Sequence, residues 1–270
     1  MTRGDAGRTV VAYDPDTRRL DTRTGTGTDG ADPLCTGHVD VRVADADTAS
    51  DPDLAVDVSI APAGSGAVDV TAAVPNRSAA PVRIAGIDVV DGATPFGPAD
   101  RAFVHGYQSW TPTATLRLDE SFPPEEPANR PQMVDLAAPA DARTSHAVTA
   151  LTGEPGQLTL GFLDHDAFLS RFDLRTDADT GRTALTAVCP LDGVALEPGE
   201  CREAATLRVD ADRPVPAALA ALASAVGDRM DARLPESVPT GWCSWYHYFT
   251  EVTAADIRTT IDDLGEWDVD

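Results

Sequence analysis

Hydrophobic and polar residues alternate with period two along much of this chain. His38-Val39-Asp40-Val41-Arg42-Val43 reads apolar on one face and polar on the other, as do Leu54–Ile60, Ala67–Val74 and Val82–Val90. Pro62–Gly66, Pro75–Ser78 and Asp91–Pro98 supply turn chemistry between these runs. A second set follows at Ala147–Leu151, Gln157–Leu163, Phe168–Arg175, Thr183–Val188 and Ala204–Val209. Residues 1–33 are rich in Thr, Asp, Gly and Arg; they read as one weak strand at Thr9–Tyr13 with loop elsewhere. Many short strands without helices between them predict a mainly β fold, an antiparallel β-sandwich.

Between the two sets lies Thr111–Arg143, which carries six prolines. So long a connection within a domain is functional or disordered. Because it follows directly on an aromatic cluster, it reads as a packed surface loop. After Val209 the pattern turns helical. Pro214 and Pro216 stand where a first turn tolerates proline. Leu219, Leu222, Val226 and Met230 then form one apolar stripe, as expected of a connector helix. Beyond it, Gly241–Trp245 reads as a short buried strand. Thr253 and Asp256 form a T-x-x-D helix start, with the helix running to about Leu264, and Trp267–Asp270 reads as a second strand. Strand, helix, strand is a βα unit.

Composition narrows the function classes. The 270 residues carry 44 acidic side chains against 21 basic ones, a formal charge of −23, and every basic residue is arginine. Such a surface repels phosphate backbones and anionic lipid, which argues against nucleic-acid and membrane partners. With 42% hydrophobic residues in alternating runs, the charge points to an acidic, halophilic type of surface rather than to disorder. At molar salt the Debye length is about 3 Å, so the repulsion is screened. A GC-rich genome is the plainer source of so much Asp, Ala and Arg. The polar N-terminus lacks the apolar core of a signal peptide, and no stretch reaches the roughly 18 apolar residues of a membrane span. A cytoplasmic protein is expected. Cys35, Cys189, Cys201 and Cys243 show no C-x-x-C spacing, so neither a metal nor a cofactor is expected. Cys189 and Cys201 flank a turn and are open to a hairpin disulfide, although buried free thiols suit a reducing compartment better.

Candidate chemistry concentrates in two aromatic clusters within a chain only 6% aromatic. They are Phe103-Val104-His105-Gly106-Tyr107-Gln108-Ser109-Trp110-Thr111 and Thr240-Gly241-Trp242-Cys243-Ser244-Trp245-Tyr246-His247-Tyr248-Phe249. Aromatics of an isolated cluster ordinarily fill a core. Here the glycines and the mixture with Gln, Ser and His favour a sugar site, which needs flat apolar faces with hydrogen-bonding rims. Asp164-His165-Asp166 has the residue types of a metal site but closes a strand, and reads as a solvated turn. Ser244 next to Cys243, with His247 three residues on, makes a weak nucleophile candidate.

The motif T-G-W-C-S-W-Y-H-Y-F at 240–249, with the helix start at Thr253 and E-W-D-V-D at 266–270, resembles the start of the catalytic barrel of glycoside hydrolase family 36, the microbial α-galactosidases. H-G-Y-Q-S-W at 105–110 is similar to a segment of that family's N-terminal β-sandwich, and the resemblance runs from about residue 80 onward. It implies a supersandwich-like domain over 1–210, a connector helix over 211–235 and the truncated start of a (β/α)8 barrel over 236–270. It also implies a retaining hydrolase of terminal α-linked galactose, acting on α-galactoside oligosaccharides through two carboxylates about 5–5.5 Å apart. Trp245 and Tyr246 would line the galactose pocket, and Trp110 or Tyr107 would reach in from the sandwich, with Trp110 preferred. The family's catalytic carboxylates match no position here; Asp268 and Asp270 stand at the stability end of a barrel strand. A barrel takes about 250 residues, so the chain reads as an N-terminal fragment that is inactive alone. The alternative is a non-catalytic carbohydrate-binding or assembly module. A further copy of the chain, or a complementing C-terminal chain, is the protein partner either reading admits.

Overall fold

The computed structural model of the chain describes residues 2–6, 9–24, 33–44, 54–106, 108, 110–120, 137–238 and 241–265. It divides into two compact units, Met1–Asp231 and Ala232–Asp270. The first unit is built from two antiparallel sheets. One runs, in spatial order, β1 (Thr2–Ala6), β2 (Thr9–Asp14), β3 (Arg19–Thr24), β4 (Cys35–Val43), β7 (Val82–Thr94), β14 (Arg182–Leu196), β13 (Arg171–Asp177) and β10 (Arg143–His146). The other runs β15 (Cys201–Glu203), β6 (Ala67–Pro75), β16 (Leu207–Asp210), β12 (Gly156–Phe162), β11 (Val148–Gly153), β8 (Arg101–Val104) and β9 (Ala114–Arg117), and β5 (Asp57–Ala63) adds to β6. The sandwich expected from the alternation is therefore the observed fold.

Period-two burial follows the period-two sequence: β6 turns Val68, Val70, Ala72 and Val74 inward, and β2 turns Val11 and Tyr13 inward. The two sheets meet at the stacked rings of Phe162 on β12 and Phe172 on β13, whose centroids are 5.1 Å apart. Both side chains are completely buried, and burying a side chain of this size stabilises by about 1.5–3 kcal/mol.

The long central strand β7 continues to Thr94, through residues whose Asp91-Gly92 reads locally as a turn. Gly92 instead lies opposite Gly37 of β4, and a Cβ on it would sit 2.1 Å from the Thr36 carbonyl oxygen. Here glycine marks a close backbone approach inside a sheet. Strands β1, β3, β8, β9, β10 and β15, none of them longer than six residues, also go beyond the sequence reading. Strand β9 lies inside the span expected to be loop, and residues 121–136 of that span lie outside the described residues.

Helix α1 (Val215–Arg229) carries Pro216 in its first turn, as expected, but its stripe is shifted. Ala218 and Leu222 are the buried positions, because β12 presents Gly161 there; a Cβ on Gly161 would lie 2.2 Å from Leu222 Cδ2. Asp164, just past β12, accepts the Arg229 Nε–H at 2.7 Å and the Thr206 backbone N–H at 2.8 Å. It is therefore a structural tie in a turn rather than a metal ligand. All four cysteines are free, with Cys35 and Cys189 buried and Cys201 and Cys243 exposed. Cys189 belongs to the first sheet and Cys201 to the second, so the hairpin between them does not exist.

In the second unit, Gly241–Trp245 does not form the expected strand. Trp245 instead opens a single helical turn, α2 (Trp245–Tyr248), in which the Tyr248 N–H donates to the Ser244 carbonyl at 2.9 Å. An extended segment without a paired neighbour leaves its backbone donors and acceptors unmet, and a local turn meets them. Helix α3 (Ala254–Gly265) begins at the expected place. The Thr253 N–H and hydroxyl both donate to Asp256 Oδ2, at 2.8 and 2.6 Å, and the Asp256 N–H returns to Thr253 Oγ1 at 3.3 Å. The strand expected at Trp267–Asp270 lies outside the described residues.

Replacing Phe172 with alanine empties one half of the inter-sheet stack and is expected to lower stability by about 3–5 kcal/mol in urea unfolding. A loss below about 1 kcal/mol would show that the sheets are held elsewhere.

Candidate functional site

The first aromatic cluster is a hairpin loop. Strands β8 and β9 pair in antiparallel register from Arg101↔Arg117 to Val104↔Ala114, and residues 105–113 join them at the edge of the second sheet. The loop folds back on itself. The Gly106 N–H donates to Thr113 Oγ1 at 2.9 Å, and the Thr111 N–H donates to the Gln108 carbonyl at 2.9 Å. The Gln108 side-chain oxygen accepts the Trp110 backbone N–H at 2.9 Å. A Cβ on Gly106 would lie 2.5 Å from the Thr111 carbonyl oxygen, so only glycine lets the two arms of the loop approach this closely.

Trp110 is 58% exposed on this loop, a large aromatic surface offered to solvent in a chain with four tryptophans. Tyr107, the other candidate from this cluster, lies outside the described residues. At the root of the loop, the His105 backbone N–H donates to Ser145 Oγ at 2.8 Å and the His105 ring Nδ1 faces the His146 carbonyl at 2.8 Å. A ring nitrogen facing a carbonyl oxygen carries the proton. The His146 N–H donates back to the His105 carbonyl at 3.0 Å.

In the second unit, Trp245 is 47% and Tyr246 95% exposed. The Trp245 ring meets Phe249 edge-on at a centroid distance of 4.5 Å, and Trp242 meets Tyr248 edge-on at 6.3 Å. None of the residues of α2 is buried, so these aromatics make a surface cluster. The Ser244–His247 candidate reduces to a backbone bond, in which the His247 N–H donates to the Ser244 carbonyl at 3.1 Å. The capping hydrogen bonds from Thr253 hold the Asp256 carboxyl below its ordinary range. Among the described residues, no group of three or more His, Cys, Asp or Glu is placed to hold a metal ion, and no helix is long and apolar enough to cross a membrane.

A different polar region, not anticipated from sequence, lies on the outer face of the first sheet. Pro190, Gly86 and Arg42 stand in one cross-strand row, and Arg171, Val188, Asp88 and Asp40 stand in the next. Arg42, Arg83 and Arg171 line a cleft of about 380 Å³ there, together with Pro190 and Asp192. Arg171 and Asp173 form a buried ion pair at 3.2 Å, and Thr144 Oγ1 donates to Asp173 at 2.8 Å. Arg42 Nη2 forms an ion pair with Asp88 Oδ1 at 3.1 Å, and nothing else hydrogen-bonds that buried oxygen. Burial pushes the Asp88 carboxyl up to about 6; Arg42 opposes the shift, and Asp91 and Asp40 add to it. With Arg42 and Arg171 each matched by a carboxylate, this cleft is a structural charge layer.

No protein-family model matches the chain. Solved structures similar to it include an α-galactosidase from Lactobacillus brevis, at 10% identity and a TM-score of 0.49, which covers 96% of this chain and 32% of that one. They also include the GH36 α-galactosidase AgaB from Geobacillus stearothermophilus (11% identity, TM-score 0.39), covering 76% of this chain and 25% of that one. The protein Slr1438 from Synechocystis sp. PCC 6803 matches at 10% identity and a TM-score of 0.34, covering 76% of this chain and 66% of that one. The chain thus spans about a third or less of the two α-galactosidases, enzymes of the kind that the two aromatic motifs resemble. These TM-scores, all below 0.5, assign neither fold nor function by themselves.

The raised pKa of Asp88 means that the folded protein holds this proton more tightly than the unfolded chain does. The stabilisation is fully present below the ordinary carboxylate range and is lost as pH rises through about 6. Asp88→Asn is therefore expected to stabilise the protein by about 1–3 kcal/mol near neutral pH, and by clearly less near pH 4. Urea unfolding at the two pH values checks this; an equal gain at both would contradict it.

Proposed function

We propose that this chain is the sugar-recognising N-terminal part of an α-galactosidase-type retaining glycoside hydrolase, and that its ligand is a terminal α-linked galactose. The observation that carries the reading is Trp110, held more than half exposed by a closed loop on a sandwich edge. A galactose ring has one face of C–H groups bordered by hydroxyls. An indole face packs against the former, and polar groups beside such a face hydrogen-bond the latter. Trp245 and Tyr246 form the second recognition surface by resemblance to the barrel motif, and Trp110, with Tyr107 as its alternative, forms the first. The resemblance of the two aromatic motifs to the α-galactosidase family supports the substrate class.

The proposed division of the chain is a sandwich over 1–210, a connector over 211–235 and the first βα unit of a barrel over 236–270. No carboxylate among these residues is assigned the role of nucleophile or acid/base. The chain's proposed part is to bind and orient the sugar, and none of its carboxylates is proposed as a partner in the two-carboxylate displacement.

Purified chain titrated with methyl α-galactoside in a calorimeter is expected to show saturable binding. Trp110→Ala should abolish that binding while leaving the circular dichroism unchanged, and nitrophenyl α-galactoside should not be turned over by either protein. Binding that survives Trp110→Ala would contradict the assignment of this site. Turnover that Trp110→Ala abolishes would contradict the assignment of recognition without chemistry.

A further inference from the structure

The loop that carries Trp110 is held by hydrogen bonds at two places, at its root by a residue of the other sheet and at its tip by Gln108. Ser145, on β10 of the first sheet, is fully buried, and both roles of its hydroxyl are used. It accepts the His105 backbone N–H at 2.8 Å and donates to the Val148 carbonyl at 2.5 Å. His105 closes the same corner with its ring on the His146 carbonyl and its own carbonyl on the His146 N–H. The next residue, Gly106, starts the loop and is clamped by Thr113 Oγ1. Two residues further on, Gln108 bridges to both Trp110 and Thr111, one through its side-chain oxygen and the other through its carbonyl.

The corner itself is strained in a way that fixes its direction. Ala147, between β10 and β11, has φ of +65°, a conformation costly for a residue with a Cβ. It is held there because its N–H donates to the Ser170 carbonyl and its carbonyl accepts the Phe162 N–H, both at 2.9 Å.

We propose that Gln108 and Ser145 are positioning residues that fix the angle at which the Trp110 indole meets a pyranose ring. Neither is assigned a contact with the sugar: Gln108 acts through the Trp110 and Thr111 backbone, Ser145 through His105. The inference rests on the sugar-site reading above and deepens it. A loop free to sample many conformations loses entropy each time it stacks on a ligand, and a loop held in place beforehand does not. Two side-chain oxygens and a buried hydroxyl hold a loop whose described residues lie outside the sandwich core, and this is explained if the orientation of Trp110 matters.

The test uses the 270-residue chain labelled with ¹⁵N and four variants: Gln108→Leu, Gln108→Glu, Ser145→Ala and Trp110→Ala. Gln108→Leu removes the acceptor for the Trp110 N–H, and Gln108→Glu keeps it. Amide exchange at Trp110 is expected to accelerate about threefold to tenfold in Gln108→Leu and to stay near wild type in Gln108→Glu. Affinity for methyl α-galactoside should fall by a similar factor in Gln108→Leu and recover in Gln108→Glu. Ser145→Ala should loosen exchange at His105 as well as at Trp110. If it fails to fold, the Gln108 pair decides alone. Unchanged exchange in Gln108→Leu would overturn the proposal, as would faster exchange with unchanged affinity while Trp110→Ala abolishes binding. If Trp110→Ala leaves sugar binding intact, the sugar-site reading falls, and positioning toward a sugar falls with it; exchange rates then report only on how the loop is held.

Discussion

The buried hydroxyl of Ser145 is where the two sheets of the sandwich are tied by hydrogen bonds near the candidate site. Across the single residue Ala147, between His146 and Val148, the chain leaves one sheet and enters the other. A hydroxyl with no access to water must find its partners in the protein, so His105 and Val148 have to stand where they do. Because His105 is the first residue after β8, this constraint fixes the root of the loop that displays Trp110. The stacked pair Phe162–Phe172 lies between the same two sheets, and the Phe162 N–H bonds Ala147. Core packing and loop placement therefore depend on one corner.

The acidic composition has a visible structural consequence. With arginine as the sole strong base, ion pairs are Arg–Asp throughout the described residues, from the part-buried Arg208–Asp69 at 2.8 Å to the exposed Arg175–Asp141 at 2.9 Å. Exposed pairs of this kind contribute at most about 1 kcal/mol each. The buried Arg171–Asp173 pair and the incompletely satisfied Asp88 differ: they sit on the outer face of the first sheet, where desolvation weighs against charge. Asp88 is a local cost at neutral pH, and the sandwich carries it.

Alternation made β4 and β6 legible, since each buries every second side chain along most of its length, whereas β7, β11 and β12 are buried over three or more consecutive residues. It could not show β8 or β9, four residues each, because two periods of alternation are too few to stand out. It misread Asp91-Gly92 as a turn, because a glycine needed for close approach to Gly37 carries the same local signal as one needed for a bend. The capping box at Thr253 was legible in full, being a local interaction among four residues. The strand expected at Gly241–Trp245 was not found, because strand formation depends on partners that local sequence does not supply. The candidate residues show the same division: scarce aromatics marked Trp110 in the first unit and, separately, Trp245 and Tyr246 in the second, whereas Ser145 lies forty residues from the His105 it binds and carries no motif.

The central claim is that the Trp110 indole is a stacking platform for galactose. Selective saturation of its ring protons, with transfer detected on free methyl α-galactoside, measures that contact without requiring any turnover. The expected result is transfer to the C–H protons of one face of the ring, absent with Trp110→Phe labelled in the same way and weaker with the glucoside. No transfer from Trp110, or transfer equal for both sugars, would contradict it.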